Sequence, residues 1–421
     1  MGRTDRIGTP LQWRAFALAL LVLVLDGLDI QILALVAPSL VREWGVTRAA
    51  LGPAMSAALV GMACGAPLGG ALGDRCGRRA ALLAGVAAFG VFTLATAAVH
   101  TLVQLTTLRF LVGLGLGGCL PNATALIAEF FPGKFRALAV AGGIVGVLLG
   151  GIAGALTAAW LLPDAGWRAL LVAGGAVPLS LLLVLVPALP ESPRFLESRT
   201  ASPVQSMAGA SPARDRFAEI VSGPYRHNTT ALWPAFFASL FVVYCFFNWI
   251  PVMLVDAGLS PAAGTRGSLL FNVGGVAGAL TAALIVLRFG LKSTVIGAAA
   301  VALAVSIALA AAPWHAADPG RPDAAEAIAL WGLFFAGAAV NAVQIGLYAI
   351  AAATYASACR ATGIGWALGF GRAGAIVSAF AMGAVLAAGY GVGGYFVSIA
   401  VMLVVVIASL ANYQSRAVAQ G

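Results

Sequence analysis

Long apolar runs alternate with short polar breaks almost from end to end of the chain. A helix crossing a hydrocarbon layer of about 30 Å needs roughly 20 apolar residues in succession. Runs of that kind predict twelve spans, at 14–38, 49–72, 80–99, 102–127, 136–160, 167–188, 230–254, 265–287, 293–312, 327–352, 361–388 and 391–412. They are continuous in Ala, Leu and Gly, whereas the strands of a membrane barrel alternate in polarity over about ten residues, so helices are expected. The widest polar interruption, PESPRFLESRTASPVQSMAGASPARDRFAEIVSGPYRHN, separates two blocks of six spans. The expected architecture is an all-α membrane protein with twelve transmembrane helices in two six-helix lobes, at 1–189 and 230–421, joined by a cytoplasmic linker at 190–229. Paired halves around a midplane site suit a secondary transporter, although a channel or a membrane enzyme can have as many helices.

Composition agrees, with 61% of the 421 residues hydrophobic and 9% charged. Lys and Arg fix the direction. With both termini in the cytoplasm, seventeen basic residues fall on the inner side and five on the outer, while Arg109 and Arg372 lie inside helices. The net charge of +9 is thus a topology signal, with attraction to anionic lipid, and nucleic-acid binding is not implied. The first apolar run is too long for a cleaved signal segment and contains two aspartates, so a retained first helix is expected. The five cysteines, Cys64, Cys76, Cys119, Cys245 and Cys359, are scattered and lack metal-ligand spacing. His100, His227 and His315 fall in the expected loops, and no metal, cofactor or proton-carrying histidine is expected.

Glycine-rich stretches inside the spans read as packing faces. GGIVGVLLGGIAGA (142–155) exposes backbone for close helix approach, and GLGLGG (113–118) lies in an apolar helix with no preceding strand, unlike a nucleotide loop.

Charges inside the spans point to chemistry. Asp26 and Asp29, in DGLD, are three residues apart and share one helix face near mid-membrane. Each is disfavoured by about 2.5–3.5 kcal/mol at the bilayer centre. Burial and mutual repulsion favour protonation of at least one, which makes the pair a proton-coupling candidate; pairing of one Asp with an Arg, or capping of a helix break at Gly27, are the structural alternatives. Arg372 lies in a span with no acidic residue, and its planar fork suits a carboxylate or one of these aspartates. In GGALGDRCGRR (69–79), Asp74 can accept charge-assisted hydrogen bonds, Gly77 permits a tight turn and Arg75, Arg78 and Arg79 stay at the inner surface.

That segment resembles the loop signature of the major facilitator superfamily, as do RFLVGLG (109–115), with Arg109 inside the helix, and PESPRFL (190–196). DGLD, PNATALIAEFFPGKFRA (121–137), FNWIPVML (247–254) and CRATGIGWALGFGRAGAI (359–376) are together similar to the aromatic acid:proton symporter family, over essentially the whole chain. The resemblance implies a multi-pass transporter of the bacterial inner membrane that imports a small aromatic carboxylate of the benzoate or hydroxybenzoate class with protons by alternating access. It implies no enzyme activity and a single chain as the working unit. Asp26 and Asp29 are then expected to couple protons and Arg372 to bind the substrate carboxylate. The expected ring site comprises Asn122, Tyr244, Phe247, Asn248, Trp249, Phe271, Asn272, Asn341, Gln344, Tyr348 and Trp366. Asp74, Arg75, Gly77, Arg78, Arg109, Glu129 and Arg136 are expected to form a gating latch.

The second-half loop LRFGLK (287–292) departs from the signature, with Leu287 in place of an Asp, and a second latch is not expected. Ala356 stands where relatives usually have Pro, and Val377–Phe380 lacks their usual Gly-Pro. The rival readings are transport of a sugar, a non-aromatic organic acid or an exported drug, and a membrane enzyme or sensor. An enzyme would need an intramembrane nucleophile with its base or a metal cluster, and a sensor an output domain.

Overall fold

The computed structural model describes residues 9–131, 133–200, 213–312, 322–356 and 359–414, and every regular element among them is helical. The chain divides into two compact units, Met1–Ser206 and Met207–Gly421.

The first unit holds α1 (Pro10–Trp44), α2 (Arg48–Cys76), α3 (Arg78–Thr96), α4 (Leu102–Phe130), α5 (Gly133–Ala188) and α6 (Pro193–Thr200). Helix α1 starts where its sequence asks it to. Thr9 and Gln12 form a reciprocal capping box, Pro10 occupies the first turn, and Gly45 ends the helix at φ 62. The Gln12 amide also donates to the Phe130 carbonyl at 3.0 Å, fastening the start of α1 to the end of α4. Between these ends α1 is unbroken, so the helix break considered at Gly27 does not occur. Gly27 serves contact instead: a Cβ there would lie 2.0 Å from the Val147 carbonyl, and one on Gly150 would lie 2.0 Å from that of Val24. Backbone touches backbone where α1 crosses α5, through the glycine-rich stretch read as a packing face.

Helix α5 covers 56 residues but changes direction at Gly166, whose φ of 74° and ψ of 179° are open to glycine and strained in other residues. Its arms correspond to the spans expected at 136–160 and 167–188. Eleven described helices are long and apolar enough to cross a membrane when α5 is taken as one, and separating its arms makes twelve. Beyond the break, Trp167 Nε1 donates to Glu43 at 2.5 Å and Arg168 pairs with the same carboxylate at 2.8 Å, holding the far end of α1.

The second unit holds α7 (Ala213–Ser222), α8 (Arg226–Asp256), α9 (Pro261–Phe289), α10 (Leu291–Ala310), α11 (Pro322–Thr354), α12 (Arg360–Ala387) and α13 (Gly391–Asn412). It repeats the small-residue crossings: Gly274 and Gly278 of α9 meet carbonyls of α11, and Gly374 of α12 meets the Phe237 carbonyl of α8. The polar segment between the lobes contributes to both units. Helix α6 packs against α4, and α7 lays Ile220 into the core of the second unit beside Leu232 and Val343. Residues 201–212 of the expected linker, and His315, lie outside the described residues. His227, expected in a loop, instead stands in the first turn of α8 with its ring 2.7 Å from the Asn412 carbonyl.

Candidate functional site

Both aspartates of DGLD are inside the first unit, Asp26 at 1% and Asp29 at 0% exposure. Asp29 is held from three sides. Arg109 of α4, itself 1% exposed, brings Nη1 to 3.2 Å from Oδ2 and donates Nη2 to the Asp29 main-chain carbonyl at 3.1 Å. Thr93 of α3 donates its hydroxyl to Oδ1 at 2.5 Å. Asp26, one turn earlier, lies within electrostatic reach of the Cys119 thiol on α4. A buried ion pair is tolerated because each charge offsets the desolvation of the other, and removing one partner leaves the other stranded. Arg109 was expected in the latch; it belongs to the proton-coupling candidates. The signal was present in the sequence, since an intramembrane Arg and an intramembrane Asp each need a counter-charge. Thr93 gave no such signal, being one hydroxyl among many.

Several of the residues expected to form a latch meet at the turn between α2 and α3. Arg78 reaches Asp74 at 2.6 Å, Glu129 at 3.8 Å and the Asn122 side-chain oxygen at 3.2 Å. Asn122 is fully buried, and its amide nitrogen donates to the Gly69 and Gly118 carbonyls, each at 2.8 Å. Its hydrogen-bonding groups are therefore occupied by Arg78 and the α2–α4 crossing. Gly77, at φ 99°, makes room for Glu191 of PESPRFL: a Cβ would stand 2.2 Å from that carboxylate. Glu191 accepts from the Arg79 and Ser192 main-chain nitrogens at 3.1 and 2.8 Å, while the Ser192 hydroxyl donates to Glu129. Sequence reasoning singled out PESPRFL but gave Glu191 and Ser192 no task. Arg75 and Arg136, expected in the latch, are exposed and have no ion-pair partner among the described residues.

In the second unit the expected ring site separates into groups. Gln344 and Tyr348 of α11 come together with Arg372 of α12: the Tyr348 hydroxyl is within hydrogen-bond reach of Gln344 and electrostatic reach of Arg372. Ser239 of α8, missed in the sequence, donates to Gln344 Oε1 at 2.7 Å, which fixes the amide so that Nε2 is free to donate; Nε2 has no acceptor among the described residues. Arg372 likewise has no ion-pair partner among the described residues. Tyr244, Phe247 and Phe271 pack edge to face at 5.8 Å centroid spacing, with Phe271 stacked on Phe246 at 4.7 Å. Asn248 is buried with its amide nitrogen lacking an acceptor, and Trp249 is a fully buried core residue of α8. Asn272 and Asn341 each donate to a carbonyl one turn back in their own helix, at 2.8 and 2.9 Å.

Trp366 meets aromatic neighbours outside the expected ring site. It lies 46% exposed in the second turn of α12, against Phe217 of α7 at 4.7 Å and Trp233 of α8 at 6.2 Å, with Trp233 stacked on Phe370 at 4.2 Å. This aromatic tier seats the short helix α7 near the first turns of α8 and α12. Among the described residues no group of His, Cys, Asp and Glu has the arrangement to hold a metal ion.

Residues 19–317 match the family model described as Major Facilitator Superfamily. The chain is 39% identical over 400 residues to the 4-hydroxybenzoate transporter PcaK of Pseudomonas putida, covering 90% of this chain and 87% of the relative. It is 36% identical over 399 residues to the gallate transporter of Pseudomonas putida, with the same coverage of both chains. Among solved structures it resembles the partially occluded, inward-open xylose transporter XylE of E. coli with a TM-score of 0.74 at 18% identity, covering 95% of this chain and 97% of that one; that likeness concerns fold alone.

Proposed function

This chain belongs to the Major Facilitator Superfamily of membrane transporters, and we propose that it carries a small aromatic carboxylate of the hydroxybenzoate class into the cell together with protons. The observation that supports coupling is the buried Asp29–Arg109 pair. A proton on Asp29 neutralises one half of that pair and leaves Arg109 as a buried cation without its counter-charge, which is disfavoured by several kcal/mol. That uncompensated cation favours an anion aboard the carrier through its field in a low-dielectric interior, without holding the anion itself. Proton and anion then favour each other's binding, and by linkage the preference is reciprocal. Asp26, one turn away and equally buried, shares the proton.

In the second unit, Arg372 takes the substrate carboxylate, with Tyr348 and the free N–H of Gln344 as neighbouring donors. Tyr244, Phe247 and Asn248 offer the ring an apolar wall with one polar group. The Asp74–Arg78–Glu129 latch with Glu191 holds one conformation of the transport cycle. The predominance of Arg and Lys at the latch side supports a cytoplasmic placing of that side and of both termini, and the bacterial relatives point to the inner membrane. A single chain bears the whole site.

Uptake of labelled 4-hydroxybenzoate into proteoliposomes with an acidic exterior is the test. Accumulation is expected to collapse when the gradient is dissipated and to be competed by gallate but not by xylose. Accumulation indifferent to the gradient refutes coupling, and xylose competition refutes the substrate class.

A further inference from the structure

Thr93 is fully buried in α3, and its hydroxyl reaches across to Asp29. Most threonines in the described spans direct theirs at a carbonyl of the same helix, as Thr96 does to Phe92, Thr106 to Leu102, Thr157 to Ala153 and Thr281 to Ala277, while Thr229 meets the Tyr355 hydroxyl. That intrahelical bond is the local default for a hydroxyl in an apolar span. Thr93 departs from it to donate to a carboxylate at 2.5 Å, a charge-assisted contact stronger than the default. The surroundings leave few competitors. Arg109 faces Asp29 from α4, and Asp26 and Cys119 lie one turn away on α1 and α4. Helix α3 carries no charged residue between Arg79 and its end; α2 carries none between Arg48 and Asp74, where its one titratable group is the exposed Cys64; α5 carries none between Arg136 and Asp164. Next to Thr93, Ile32 of α1 and Gly174 of α5 present only apolar surface.

We propose that Thr93 is a positioning residue for proton coupling: its hydroxyl donates to Asp29 while that carboxylate is ionised, and turns to the Phe89 carbonyl when Asp29 takes its proton. The hydroxyl thereby tunes the pH at which the carrier loads and releases. This rests on the coupling reading above. Rotation of one hydroxyl moves no charge and requires no helix to shift, so the switch is compatible with a tightly packed site.

The test compares wild type, Thr93→Ser, Thr93→Val and Thr93→Ala in proteoliposomes, recording initial 4-hydroxybenzoate uptake against external pH at fixed internal pH. Without the donor the ionised carboxylate loses a hydrogen bond, so the midpoint of uptake is expected to move about one unit alkaline in the Val and Ala variants. The Ser variant keeps the donor and is expected to retain the wild-type midpoint. The KM measured at acidic pH is expected to stay within about twofold of wild type throughout, because the anion is bound elsewhere. A wild-type midpoint in the donor-free variants, or a Ser variant shifted like the Val variant, overturns the proposal. So does failure of both donor-free variants to assemble while Ser assembles, since the hydroxyl is then a folding device. A wild-type profile that is flat with pH overturns the coupling reading itself.

Discussion

Deleting one half of the Asp29–Arg109 pair does not mirror deleting the other. Asp29→Asn removes the proton acceptor and leaves Arg109 buried, so gradient-driven accumulation is expected to vanish while exchange of labelled for unlabelled substrate continues at a measurable rate. Arg109→Ala strands a fully buried carboxylate, and thermal unfolding in detergent is expected to show a loss of about 3–5 kcal/mol. The double variant Asp29→Asn/Arg109→Gln is expected to unfold closer to wild type than the sum of the single changes allows, because the interaction is lost only once. For the proposed carboxylate site, Arg372→Lys keeps the charge but loses the fork; KM is expected to rise about tenfold with Lys and about a hundredfold with Ala, as read from uptake at saturating proton gradient. At this scale the sequence exposed what was out of place. Two acids and two arginines in apolar spans are expensive wherever they point, so the burial of Asp26, Asp29 and Arg109 and the need for counter-charge were legible, but which partner each would take was not. Asn122 shows another limit: an amide in an apolar helix signals a partner without saying whether it is a solute or the next helix's backbone.

Helices in this protein meet where side chains are missing. At Gly27 any Cβ runs into the Val147 carbonyl, so Gly27→Val is expected to prevent α1 from seating on α5 and to abolish the monodisperse peak in fluorescence-detected size exclusion. Gly365, on α12, has nothing within 4 Å of such a Cβ, and Gly365→Ala is expected to leave that peak in place. The contrast tests whether glycines act by contact or merely by composition. Hydropathy located the spans well because burying a continuous apolar run is a property of the run alone. It missed by a turn or two at the ends, where capping by Thr9 and the left-handed Gly45 extend α1 beyond its apolar stretch. Trp366 meets the same limit. Helical spacing reports the face of a residue, while its distance along the bilayer normal depends on where the helix begins, and α12 begins only a turn and a half before it.

The two units share an architecture but not a charge pattern. Asp74, Arg78, Glu129 and Glu191 tie the turn of the first unit into a network, whereas the corresponding turn of the second has Leu287 exposed and Gly290 at φ 77° with no acid beside it. Asp74→Asn is therefore expected to lower the maximal uptake rate several-fold with KM within about twofold, while Leu287→Asn leaves both unchanged; equal effects of the two would contradict an asymmetric latch. The missing aspartate was visible in the sequence. What replaced it was not: Lys292 extends its ammonium group to the Tyr413 and Ala411 carbonyls, at 2.6 and 3.3 Å, much as Arg79 donates to the Val186 carbonyl in the first unit. The end of the chain is thus stitched to the start of α10, and Asn228 adds a reciprocal amide clasp on Gln414 at 3.0 Å. A reporter fused after Gln414 leaves those stitches in place, whereas a truncation that removes Tyr413 and Gln414 unpicks α13 from its neighbours. Tag placement will accordingly decide whether preparations of this carrier stay intact outside the bilayer.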